Sequence, residues 1–132
     1  MAEDLSTKPT VEPRSDTVPD DLVLIDRIEG EGDEATTEDT VTVQYVGVTY
    51  GTAQEFDSSW DRGEPATFPL DRVIAGFRDG IAGMRVGGRR EIVVPSEMGY
   101  GAAGAPPAIR PHEDLVFVVD LLAVNEAQNK LR

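Results

Sequence analysis

The apolar residues of this chain fall into short runs with two different periods. Leu22-Val23-Leu24-Ile25 opens a strand that runs toward Ile28. From Val41 to Tyr50 the chain is rich in β-branched and aromatic residues, with Val41, Val43 and Tyr45 on one face, the alternation of a strand with one buried side. Gly51 marks a turn, and Gln54 to Ser58 reads as another short strand. Trp60-Asp61-Arg62-Gly63-Glu64-Pro65 reads as a loop from its glycine and proline. Thr67 to Leu70 fits a short edge strand, where Pro69 is tolerated. Arg89 to Val94 is a strand stopped by Pro95, and Leu115 to Leu122 is almost continuously apolar, as a central strand covered on both faces should be.

One segment changes period. Val73, Phe77, Ile81 and Met84 fall at i, i+4, i+8 and i+11, with Ile74 beside them, and Gly83 is placed to end the turn. Gly76 and Gly80 each weaken such a helix by about 1 kcal/mol against alanine, so it persists only when packed on a sheet. The long segment from Ser96 to Glu113 is a loop by its glycines and prolines. Several strands, one short helix and no βαβ alternation predict an α+β fold: an antiparallel sheet folded over one helix.

Charge and composition add boundaries. Residues 1–21 hold six acids, two bases and three prolines, too little apolar surface to offset ordering entropy. They are expected to form a disordered acidic tail, followed by one domain over residues 22–125 and a short extension over 126–132. The formal net charge of the 132 residues is −13. That argues against a nucleic-acid partner, which needs a basic face, and against an anionic membrane surface. No apolar run approaches the roughly 20 residues of a membrane span, and the start lacks the flanks of a signal peptide. With no cysteine there is no disulfide and no thiolate, and zinc would have one histidine to bind. The expectation is a metal-free, cofactor-free cytoplasmic protein.

Candidate chemistry is sparse. Gly99-Tyr100-Gly101-Ala102-Ala103-Gly104 matches GxGxxG, but a dinucleotide site needs a helix to begin there, and Pro106 and Pro107 forbid one. Asp57, Ser58, Ser59 and His112 lack the spacing of a nucleophile elbow. The acidic run from Glu29 to Asp39 lacks the spacing of a calcium loop and reads as solvated surface. Arg85, Arg89 and Arg90 read as a solvated hairpin edge. What remains is a set of aromatics: Tyr45, Phe56, Phe68, Phe77, Tyr100 and Phe117. Most such residues fill a core, but Asp57 directly follows Phe56, and Tyr100 sits in a glycine-rich loop.

These residues carry a resemblance. Val43-Gln44-Tyr45-Val46-Gly47, Phe56-Asp57-Ser58-Ser59, Val73-Ile74-Ala75-Gly76-Phe77, Tyr100-Gly101 and Leu115-Val116-Phe117 resemble, in order and spacing, the FKBP-type peptidyl-prolyl cis–trans isomerases. The resemblance covers about Leu22 to Asn125. It implies a sheet of five or six antiparallel strands wrapped around a short helix, with an apolar cleft between them. It implies that Tyr45, Phe56, Asp57, Phe68, Val73, Ile74, Phe77, Tyr100, Ile109 and Phe117 line the cleft, and that Arg62 pairs with Asp57. It departs from the family at three places: Phe77 stands where most members have a tryptophan, Ala66 replaces a frequent aromatic, and Ala105 and Ala108 shrink the loop after Tyr100. A wider or shallower cleft is expected.

The activity the resemblance implies needs no nucleophile. Rotation about an X–Pro bond crosses a barrier of roughly 20 kcal/mol held up by amide resonance, and a cleft that binds the twisted amide better than either planar form lowers it. Lowering it by about 8 kcal/mol would accelerate rotation roughly a million-fold. By the resemblance, Phe56, Phe117, Tyr45, Phe77 and Ile74 hold the proline ring, and Tyr100 offers its hydroxyl to a carbonyl. Asp57 supplies negative potential, with its rotamer fixed by Arg62. Partners would be proline-containing polypeptides and macrolides of the tacrolimus or rapamycin kind, met by a monomer. The alternative is a module that holds such segments with little turnover.

Overall fold

The structure, a computed structural model, describes residues 5–13, 21–105 and 109–125. Strand β1 spans Val23–Ile28, β2 Thr40–Thr49 and β3 Glu55–Ser58. A single helical turn α1, Ser59–Arg62, leads to β4, Ala66–Pro69. Helix α2 covers Ala75–Ile81, β5 Arg89–Val94 and β6 Leu115–Val124. The strands form one antiparallel sheet in the order β1-β5-β6-β2-β3, with β4 also on β2. Strand β6 runs along one edge of β2, from Val41 to Thr49. The other edge is shared end to end: β4 pairs with Thr40 to Val43, β3 with Val46 to Val48, and α1 lies between.

Alternation along the strands builds two apolar layers. Val41, Val43 and Tyr45 of β2, Ile92 and Val94 of β5, and Leu115, Phe117, Val119 and Leu121 of β6 face inward onto Phe77 and Ile81 of α2. Val46, Val48, Val93, Val116 and Val118 face outward into a second cluster. The α+β expectation and the six-stranded sheet around a short helix are what the chain adopts.

The glycines that weaken α2 are what seat it. A Cβ on Gly76 would lie 2.4 Å from a Val94 methyl, and one on Gly80 2.7 Å from Ile92 side-chain carbons. The helix therefore lies directly on β5, and lost helix propensity is exchanged for close packing. It is shorter than the periodic segment. Val73 and Ile74 are extended at ψ 172° and 150°, and regular helix begins after them.

Three readings of the sequence change. Trp60 to Arg62 are helical rather than loop: the Ser58 hydroxyl accepts from the Asp61 N–H, and Gly63 closes the turn at φ +83°, a residue pattern of caps hidden by loop-like composition. The basic cluster is not a solvated edge. Arg89 is 1% exposed and Asp120, its register partner on β6, is 1% exposed. They form a two-pronged ion pair at 2.7 and 2.8 Å. Arg90 bonds Asp26 and the Gly80 carbonyl, so only Arg85 keeps to the surface.

The third change concerns residues 5–13, expected within the acidic tail. They lie across the outward layer: Pro9 is buried, Val11 packs on the second cluster, and the Thr7 and Thr10 carbonyls accept from Arg89 and Arg27. Lys8 reaches Glu55 at 2.7 Å and Asp61 at 3.0 Å. Average composition conceals two apolar residues spaced to meet an uncovered face. Residues 1–4, 14–20 and the 126–132 extension lie outside the described residues. No helix among the described residues is long and apolar enough to cross a membrane.

Candidate active site

The cleft is opened by an irregularity in β3. Val46 pairs with Ser58 and Gly47 with Asp57, but Val48 pairs with Glu55, leaving Phe56 as an extra residue. On a regular strand two consecutive side chains face opposite sides. The bulge re-aims one of them, so Phe56 and Asp57 both line the same cleft. Gly47 lies beneath: a Cβ there would meet Phe56 at 2.7 Å and Phe117 at 2.8 Å.

Five rings build the walls. Phe77, 4% exposed, lies at the centre, with its ring centroid 5.6 Å from Tyr45, 5.5 Å from Phe68 and 5.1 Å from Phe117, all edge-on. Phe56 stands edge-on to Phe117 at 5.6 Å. Such tilted contacts favour the ring quadrupoles and leave faces free for a guest. The extended residues Val73 and Ile74 complete the wall, and Tyr100 rises at the rim, enclosing about 290 Å³. Phe77, buried and in contact with three of the other rings, thus forms the floor.

Polar groups meet at one side. Helix α1 reverses the chain so that Arg62 returns to Asp57, Nη1 to Oδ1 at 2.5 Å. The Tyr45 hydroxyl donates to the other Asp57 oxygen at 2.5 Å and accepts from Arg62 Nη2 at 3.0 Å. Ser59, fully buried, anchors the turn: its hydroxyl accepts from the Tyr45 N–H at 2.7 Å and donates to Gln44 Oε1. Ser58 caps α1, so neither serine is free to act as a nucleophile. Burial, then the hydrogen bond to Asp57, raises the Tyr45 pKa above its usual value. Burial, then the charge of Asp57, raises that of Tyr100. The bonds to Tyr45 and Asp57 raise Arg62 further still, so it stays cationic.

Tyr100 differs from Tyr45 in one respect that matters. It is 38% exposed and its hydroxyl has no partner among the described residues, so it is a donor facing the cleft with nothing yet to bond.

Nine of the residues expected at the site line the cleft: Tyr45, Phe56, Asp57, Phe68, Val73, Ile74, Phe77, Tyr100 and Phe117. Arg62 touches it through Asp57 and Tyr45. Ile109 does not line it; it is 3% exposed in the core, bridged to Ala105. Ala66 packs against the core beside β2, and Ala108 lies outside the described residues. Two residues escaped the sequence reading. Gly47 occupies the inward position after Tyr45, where glycine in a strand signals close approach. Arg72 lines the mouth, and no pattern distinguishes it from surface arginines. A second cavity of about 260 Å³, between β1 and the turn before β5, has no aromatic wall, and its Arg85 and Arg90 already hold Glu34 and Asp26.

An aromatic cleft with one free hydroxyl donor, a clamped carboxylate and no cysteine, serine or histidine on its described walls suits a rearrangement of an apolar guest without covalent attack. The chain belongs to the FKBP-type peptidyl-prolyl cis-trans isomerase family, whose model matches residues 32–122. It is 47% identical over 116 residues to a probable FK506-binding protein of Corynebacterium glutamicum, covering 88% of this chain and 98% of that one. It is also 47% identical to an FK506-binding protein of Streptomyces anulatus, over 89% of this chain and 97% of the relative. Among solved structures, FkpA from Escherichia coli matches with TM-score 0.74 and 43% identity, covering 78% of this chain and 47% of that one. A Pseudomonas syringae peptidyl-prolyl cis-trans isomerase matches with TM-score 0.73 and 33% identity, over 90% and 84% of the two chains. The protein is a peptidyl-prolyl isomerase of this type.

Proposed function

We propose that the cleft accelerates X–Pro rotation in folding polypeptides by holding the proline ring on Phe77 between Phe56, Phe117, Tyr45 and Ile74 while the amide twists. In the twisted state the carbonyl loses conjugation, and the nitrogen lone pair no longer feeds it. Apolar walls strip the water that favours the charge-separated planar form. The Tyr100 hydroxyl donates to a substrate carbonyl, and Asp57 places negative potential beside the carbonyl carbon, held in one rotamer by Arg62 and Tyr45. The observation that carries this reading is a Tyr100 hydroxyl without a partner among the described residues, lining the same aromatic cleft as the clamped Asp57.

The same cleft is the site we assign to FK506-type macrolides, in keeping with the names of the relatives. We assign action as a monomer, since the described walls of the cleft form without a second copy, and the cysteine-free composition fits work in the cytoplasm. The test is isomerisation of a short X–Pro peptide with the macrolide as competitor. Catalysis that the macrolide abolishes at a one-to-one ratio supports both assignments. Tight macrolide binding without turnover would instead identify a binding module.

A further inference from the structure

One charged side chain lines the cleft without a partner among the described residues. Arg72 closes the short turn Leu70–Arg72 immediately before Val73 and Ile74, is exposed, and lines the mouth. It makes no hydrogen bond or ion pair among the described residues. Six other arginines hold carboxylates: Arg27, Arg62, Arg78, Arg85, Arg89 and Arg90. At the cleft itself Asp57 is neutralised by Arg62, so the uncompensated charge on its wall is the positive one of Arg72. Its neighbour Asp71 is exposed and does not line the cleft.

We infer that Arg72 is a specificity residue that favours polypeptides carrying a carboxylate within a residue or two of the proline. The inference rests on the isomerase reading of the cleft. An extended segment advances about 3.3–3.6 Å per residue, so a proline seated on Phe77 brings its immediate neighbours to the mouth. A guanidinium presents a planar fork matched to a carboxylate and remains charged at every working pH. The preference is modest, because an exposed ion pair is worth roughly a two- to fivefold change in binding. The charge of the whole molecule acts in the opposite direction. A net charge of −13 favours basic peptides at long range, but at physiological salt that field is screened beyond about 8 Å, whereas a contact with Arg72 lies inside that distance and is screened less. A preference for acid is therefore a local signature that the rest of the protein works against.

The experiment uses the full chain and two peptide series, with Glu, Gln or Lys placed directly before the proline in one and directly after it in the other. The ratio of kcat/KM for Glu over Lys is measured at about 0.15 M salt for the wild type, Arg72→Ala and Arg72→Glu. The expected result is a wild-type ratio of roughly two to five in at least one series, falling to one or below in Arg72→Ala and lower again in Arg72→Glu. A wild-type ratio of one or less in both series overturns the inference while leaving the isomerase reading intact, and needs no variant. So does a preference for Glu that survives Arg72→Ala. A wild type that turns over no peptide takes down both.

Discussion

Removing the Phe117 ring deletes a side chain that is 4% exposed and touches both Phe56 and Phe77. Truncating so buried an aromatic costs about 3–5 kcal/mol, so Phe117→Ala lowers the melting temperature and the activity together. Asp57 answers to different physics. Its side chain is 39% exposed and its partner Arg62 49% exposed, so their ion pair adds little to stability. Asp57→Ala is expected to cut isomerisation while moving the melting temperature far less. Equal thermal losses in the two variants would contradict the placement of Asp57 in function. At this scale the sequence showed most of the site, because Phe56 beside Asp57 and Tyr100 in a glycine-rich loop do not read as ordinary core, and the family resemblance supplied the other walls. Arg72 was not legible, since its meaning comes only from where the turn before α2 puts it.

Elements were legible where one face is buried and obscure where register decides. Alternation gave β2, the nearly unbroken apolar run gave β6, and spacing gave the face of α2. It also counted Val73 into the helix, although the extended backbone there is what turns Val73 and Ile74 into the cleft. The bulge that lets Phe56 and Asp57 share a face, and the pairing that buries Arg89 beside Asp120, arise from partners distant in the chain. The tight seat of α2 yields a test. Alanine at Gly80 would gain about 1 kcal/mol of helix propensity, but its Cβ would lie 2.7 Å from Ile92, and overpacking of that kind costs about 1–3 kcal/mol. Gly80→Ala is expected to destabilise the protein in denaturant titration. A stabilised variant would show that the helix is free to move off β5.

For the whole molecule, the outward apolar layer and the segment over residues 5–13 explain each other. A strand as uniformly apolar as β6 needs cover on both faces, and Val11, two residues after the buried Pro9, supplies part of the second. Burial of two side chains is largely offset by the entropy of ordering the backbone around them. Deleting residues 1–13 is therefore expected to cost less than about 2 kcal/mol and leave an active enzyme. Trp60, adjacent to the Asp61 that Lys8 grips, is the only tryptophan and reports the release by fluorescence. Failure of the shortened protein to fold would contradict this balance.

The cleft also sets a pH dependence. Tyr45 and Tyr100 hold their protons more tightly when folded than at the ordinary value of 10.0. The stability they contribute is complete below that pH and is lost as pH rises through their raised folded values. Both hydroxyl donors persist through neutral pH, so a melting series from about pH 7 to 11 should show this contribution lost only above 10. Loss of tyrosine hydrogen bonding near pH 8 would contradict it.

The most direct test of the central claim is the slow phase in refolding of a protein limited by an X–Pro bond, a phase of tens to hundreds of seconds when uncatalysed. Added in substoichiometric amounts, the wild-type chain should speed that phase in proportion to its concentration, and Asp57→Ala should do so far less. A slow phase unchanged by the wild type, or accelerated equally by Asp57→Ala, would contradict the account of how this cleft works.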